Sequence, residues 1–115
     1  MALNHLHLHV ADTDRAARFY ASWFGFRPHM RHGDIVFLRD DAGVDLALAP
    51  KDAVEPWPAG VHFGFRMGDG DEVRTLHQQL REASIDGTSE LVDDEDFVGF
   101  RTRDPDGHLI EVYFE

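Results

Sequence analysis

Residues 3–10 read LNHLHLHV, with three histidines in strict alternation with Leu6, Leu8 and Val10. Successive side chains of an extended strand point to opposite faces, so His5, His7 and His9 share one face and the three aliphatic residues share the other. One side is fit for burial, and the opposite side is lined with imidazole. The period then changes. In ADTDRAARFYASWFGF (residues 11–26), Ala16, Phe19, Tyr20 and Trp23 recur at helical spacing, Asp12 or Asp14 is placed to cap the helix, and Gly25 is placed to end it.

The same order returns from Val61. VHFGFRM (61–67) alternates, GDGDE (68–72) supplies a cap, and Val73, Leu76 and Leu80 form the apolar stripe of a second helix. At a constant offset of 57, His5 falls on His62, Asp12 on Asp69 and Asp14 on Asp71, while Leu6, Leu8 and Val10 fall on Phe63, Phe65 and Met67. Strand-like segments follow each helix: DIVFL and VDLALA around a DDAG turn in the first half, DFVGFRT and HLIEVYF around a DPDG turn in the second. The unit is βαβββ, used twice. The expected fold is α+β, two βαβββ modules forming a cupped mixed sheet with helices on the outer face. We expect a single domain over residues 1–115, with one module over about 1–56, the other over about 57–115, and AVEPWPAG (53–60) as the linker. A half of that size buries too little surface to stand alone, so the halves pack together or against those of another chain.

Composition narrows the function. Hydrophobic residues make up 43% and charged residues 29% of the 115, ordinary for a globular chain, and no run reaches the ~18 apolar residues of a membrane span. No basic start precedes an apolar run, so the expected location is cytoplasmic and no membrane partner is expected. With 22 acidic against 11 basic residues the net charge is −11, which repels phosphate backbones and argues against nucleic acid. The absence of cysteine excludes disulfides, iron–sulfur clusters and thiolate zinc sites.

Parity along the strands then collects the polar residues. In the second half's first strand His62, Gly64 and Arg66 oppose the apolar side; in the last strand Leu109, Glu111 and Tyr113 do; in VDLALA, Asp45, Ala47 and Ala49 do. If each helix covers the apolar face of its own half, the uncovered faces line one cavity holding His5, His7, His9, Asp45, His62 and Glu111. Histidines and a carboxylate converging from separate strands suit a divalent cation with positions left open for substrate. His29 and His32 are expected in a turn, His77 on a helix and His108 after the DPDG turn on the wrong parity, all four facing solvent.

Over almost its whole length the chain resembles the vicinal oxygen chelate superfamily, which includes glyoxalase I, extradiol dioxygenases, fosfomycin-resistance thiol transferases and bleomycin-resistance proteins. LNHLHLHVADTDRAARFYASWFGF, GVHFGFRM and DPDGHLIEVYF carry the resemblance. It implies metal ligation by His5, His62 and Glu111. Glyoxalase I-like members add a glutamate where this chain has Asp45, one methylene shorter, which reaches the ion directly, reaches it through water, or only lines the pocket. Such members also tend to carry an arginine at the position of His9, which argues against glutathione here. SELVDDEDFVGF (89–100) is too acidic for a phosphonate.

The function expected is that of a metal-dependent enzyme of glyoxalase-like lyase/isomerase or dioxygenase type, in which a divalent ion (Ni, Fe, Mn, Co or Zn) chelates neighbouring oxygens of a small substrate. In it His5, His62, Glu111 and Asp45 would be the metal residues, Glu111, His7 and His9 the catalytic ones, and Arg66, Arg101 and Tyr113 the substrate-binding ones, with Arg66 favoured over Arg101 and Arg103 to hold a carboxylate. The resemblance also implies a homodimer with its sites at the interface, His5 of one chain facing His62 and Glu111 of the other. The alternative is a metal-free, bleomycin-resistance-like protein that sequesters a cationic drug, for which the net charge and Trp57 speak.

Overall fold

The computed structural model describes residues 1–115 and shows two βαβββ units in succession. The first contains β1 (His5–Val10), α1 (Thr13–Phe24), β2 (Arg27–His32), β3 (Ile35–Arg39) and β4 (Asp45–Pro50). The second contains β5 (Phe63–Arg66), α2 (Gly70–Glu82), β6 (Val92–Asp93), β7 (Val98–Arg103) and β8 (Leu109–Phe114). The chain divides into compact units at Glu55/Pro56. Each unit has a four-stranded mixed sheet, ordered β1-β4-β3-β2 in the first and β5-β8-β7-β6 in the second. The first strand runs parallel to the last, and the remaining pairs are antiparallel. The protein has the α+β fold that the repeated pattern predicts.

Alternation decides which face of each sheet is covered. Leu8 and Val10 on β1 and Leu46 and Leu48 on β4 are buried beneath α1, which packs on β3 and β4 through Ala16, Phe19 and Tyr20. In the second unit Val98, Phe100, Ile110 and Val112 are buried beneath Val73, Leu76 and Leu80 of α2. Each such aliphatic side chain contributes roughly 1.5–3 kcal/mol through its removal from water.

The helices start at equivalent positions. Asp12 accepts from the Arg15 amide at 3.1 Å and Asp69 from the Glu72 amide at 2.8 Å, so the cap is carried by the first of the two candidate aspartates in each half. Gly25 closes α1 at φ 73°, a left-handed conformation that a side chain would oppose.

Several features differ from the sequence reading. RPHMRH forms β2 rather than a turn, so His29 and His32 lie on an edge strand, where they are exposed as expected. Alternation does not reveal this strand because neither of its faces is buried. Pairing with β3 shifts register between Pro28 and Met30, leaving His29 as the extra residue of a bulge. His62 lies just before β5 rather than within it. His77 is half-buried on α2 and donates from Nε2 to the Ser89 carbonyl at 2.8 Å.

His108 departs furthest from expectation. It is 3% exposed, donates from Nδ1 to Asp104 Oδ2 at 2.7 Å, and lies against Trp57 with ring centroids 4.7 Å apart. The expectation that it faces solvent is therefore overturned. The aspartate opening the DPDG turn accepts from the Asp106 and His108 amides through its other oxygen, pulling the histidine inward.

Candidate metal and substrate site

In the second unit β5 brings Gly64 into register with Glu111 of β8, and β7 brings Arg101 into register with the same residue from the other side. Glu111 thus sits mid-sheet on the face away from α2, with its side chain 24% exposed. His62 precedes β5 by one residue and its Nε2 lies 3.9 Å from Glu111 Oε2. Arg101 Nε lies 3.7 Å from the same oxygen.

The tautomer of neutral His62 follows from its other nitrogen. Nδ1 is 2.9 Å from the Gly60 carbonyl, which can only accept, so Nδ1 carries hydrogen. In the neutral ring Nε2 is then a lone pair. In that form an imidazole nitrogen and a carboxylate oxygen stand 3.9 Å apart, two acceptors that a cation can join. Their separation is within the span of two metal–ligand bonds of about 2.1 Å. His62 and Glu111 therefore fit a divalent ion, and an ion held there would supply a Lewis acid for adjacent substrate oxygens.

The aromatic members of this face are also set by its backbone. Phe97 and Tyr113 stack with centroids 6.1 Å apart and planes at 13°. Gly99 makes this possible, because a Cβ there would lie 2.6 Å from the Phe97 ring. Arg66 is drawn away from the site. Its Nη2 donates to the Glu115 carbonyl at 2.6 Å and its guanidinium lies over the Phe114 ring at 4.9 Å. Arg103 donates to the Gly107 carbonyl. Of the arginines on this face, Arg101 is the one beside Glu111. Trp57 rests against Phe63 and His108, inside the aromatic packing of this unit.

The first unit contributes differently. His5 is exposed at the start of β1, with Nδ1 3.1 Å from Asn4 Oδ1. His7 and His9 meet edge to face at 5.6 Å, and His9 Nδ1 lies 3.6 Å from Glu55 Oε2. The Glu55 carboxyl is held below its ordinary range mainly by the Lys51 ammonium. Asp45 pairs with His5 in register, but its carboxylate accepts from Arg39 Nε at 2.6 Å and from Nη2 at 3.0 Å. This fork lowers the Asp45 pKa and raises that of Arg39.

The internal repeat explains why Asp45 is engaged elsewhere. At the offset of 57, Gly64 corresponds to His7, and the register partner of His7 is Ala47. Ala47 thus stands where Glu111 stands in the second unit. Asp45 occupies the place of Leu109, two residues earlier on the same face. The first unit offers His5 as a donor with no carboxylate at the position equivalent to Glu111. Nowhere in the structure do three or more histidine, aspartate or glutamate side chains gather as a metal-binding group.

A separate cleft of about 350 Å³ opens at the start of α2, lined by Asp69, Asp71, Arg74, Asp94, Phe97 and Phe114 among others. No helix is long and apolar enough to cross a membrane.

Comparison with known proteins agrees with this architecture. A possible glyoxalase from Bacillus cereus is similar at 30% identity over 97% of each chain, with a TM-score of 0.79. The oxidase ChaP-H1 is similar at 26% identity, over 100% of this chain and 96% of its own, with a TM-score of 0.79. A genomically encoded fosfomycin resistance protein, FosX, from Listeria monocytogenes shares the fold at 17% identity, with a TM-score of 0.85 over 100% of this chain and 93% of its own. No curated protein matches by sequence. The family pattern described as Glyoxalase/Bleomycin resistance protein/Dioxygenase superfamily matches residues 2–112, and the chain belongs to that superfamily.

Proposed function

We propose that the protein is a metal-dependent enzyme in which a divalent ion held by His62 and Glu111 binds two neighbouring oxygens of a small substrate, in a lyase, isomerase or dioxygenase reaction. The observation that supports this reading is the opposed pair of acceptors, Nε2 of His62 and Oε2 of Glu111, with the imidazole oriented by the Gly60 carbonyl. The third donor is His5, supplied by the other chain of a homodimer. Asp45 lines the pocket while paired to Arg39. Tyr113, stacked on Phe97, gives substrate a flat wall beside Glu111. His7 or His9 moves a proton to or from substrate as general acid or base.

Metal uptake tests this reading. Protein dialysed against Ni²⁺, Fe²⁺, Mn²⁺, Co²⁺ or Zn²⁺ should retain about one ion per chain of at least one of them. His62→Gln or Glu111→Gln should weaken that affinity more than about tenfold, the equivalent of 1.4 kcal/mol. Wild-type protein that retains none of these ions would instead favour metal-free sequestration of a cationic drug.

A further inference from the structure

Arg101 stands directly across from Glu111 in the β7–β8 pairing, and its Nε approaches the oxygen that faces His62. A guanidinium in that position competes with any ion for the charge of the carboxylate. We propose that Arg101 holds Glu111 in the ion-free protein, gives it up when a divalent ion enters, and then pairs with a carboxylate on the substrate. This rests on the reading of His62 and Glu111 as metal donors, and it names the substrate class: a small carboxylic acid whose neighbouring oxygen joins the carboxylate at the site.

Three observations carry the inference. The first is choice of partner: Arg66 and Arg103, on the same face, are held by the Glu115 and Gly107 carbonyls, which an ion at Glu111 leaves undisturbed. Arg101 alone of the three faces the carboxylate for which an ion would compete. The second is freedom to move, because the Arg101 side chain is 48% exposed and its contact with Glu111, at 3.7 Å, is longer than a hydrogen bond. The third is what lies beside it. Two residues along, on the same face, Gly99 pairs with Tyr113, and the Phe97–Tyr113 stack leaves a released guanidinium flanked by a flat apolar wall. A planar fork that takes a carboxylate through two parallel bonds suits this exchange better than a point charge does.

Calorimetric titration with Zn²⁺ alone, followed by titration of the Zn²⁺-loaded protein with glycolate, tests both halves. Arg101→Gln should bind Zn²⁺ roughly two- to fivefold more tightly than wild type, the range expected on losing an exposed ion pair. Once loaded, it should bind glycolate at least about tenfold more weakly. Arg101→Lys keeps the charge without the fork, so its Zn²⁺ affinity should stay near wild type while glycolate binding is only partly restored. Equal or weaker Zn²⁺ binding by Arg101→Gln, or undiminished glycolate binding, overturns the role of Arg101 and leaves the metal reading intact. Failure of wild-type protein to bind Zn²⁺ or any of the other four ions overturns the metal reading and this inference with it.

Discussion

A displacement of two residues separates a carboxylate that lies beside His62 from one that is paired with arginine. Glu111 lies opposite Gly64, while Asp45 lies opposite His5, and the equivalent of Glu111 in the first unit is Ala47. Asp45 instead forms a forked pair with Arg39 that holds its carboxyl below the ordinary range. A depressed folded pKa contributes stability that is present above the unfolded value of about 3.9 and lost as pH falls through the folded value. Asp45→Asn should therefore lower the urea midpoint at pH 7, and the gap from wild type should close as pH falls below the unfolded value and through the depressed folded one. Its metal affinity should stay within about twofold of wild type, since the aspartate is engaged by Arg39. A large loss of metal from Asp45→Asn would return this residue to the ligand set.

Among the elements, those with one buried face were legible and those without were not. β1, β4, β7 and β8 each show apolar residues at alternate positions because a helix covers one side of the sheet. β2 is exposed throughout and β6 is two exposed residues long, so neither carries a period to read. The proximity of His62 and Glu111 is legible because the first strand repeats and the last alternates. The choice among Arg66, Arg101 and Arg103 is not, because all three share parity and only their partners distinguish them. The burial of His108 escapes the pattern for a related reason. Parity is a property of strands, whereas His108 is turned inward by a hydrogen-bonding aspartate just ahead of β8. That turn joins the two strands that carry Arg101 and Glu111. Asp104→Ala would strand two buried donors, the His108 amide and ring, and the half-buried Asp106 amide, and should cost about 3 kcal/mol of stability in chemical denaturation. A cost below about 1 kcal/mol would mean that Trp57 packing, rather than the aspartate, holds His108 in place.

For the molecule as a whole, the proposed reading requires a third donor to join His62 and Glu111 of the second unit, and it takes His5 of the first unit for that part. A homodimer in which His5 of one chain completes the pair on the other makes a prediction that no within-chain arrangement shares. Suppose His5→Gln protein is mixed with His62→Gln protein under conditions that let subunits exchange. In a mixed dimer, the chain carrying His5→Gln keeps His62 and Glu111, and its partner keeps His5, so one of the two sites has all three donors. The other site lacks both histidines. If all three donors come from the same chain, every site in the mixture lacks one of them, whatever the chains do. Exchange between two equal pools yields mixed dimers as about half of all dimers, each with one intact site, so about a quarter of wild-type metal content should reappear on mixing. Each parent alone should show little. The net charge of −11 per chain opposes association through like-charge repulsion, so recovery should be clearest at about 0.15 M salt or above, where surface charges are screened within about 8 Å. No recovery on mixing, in a sample whose mass confirms exchanged dimers, would place all donors of a site within one chain.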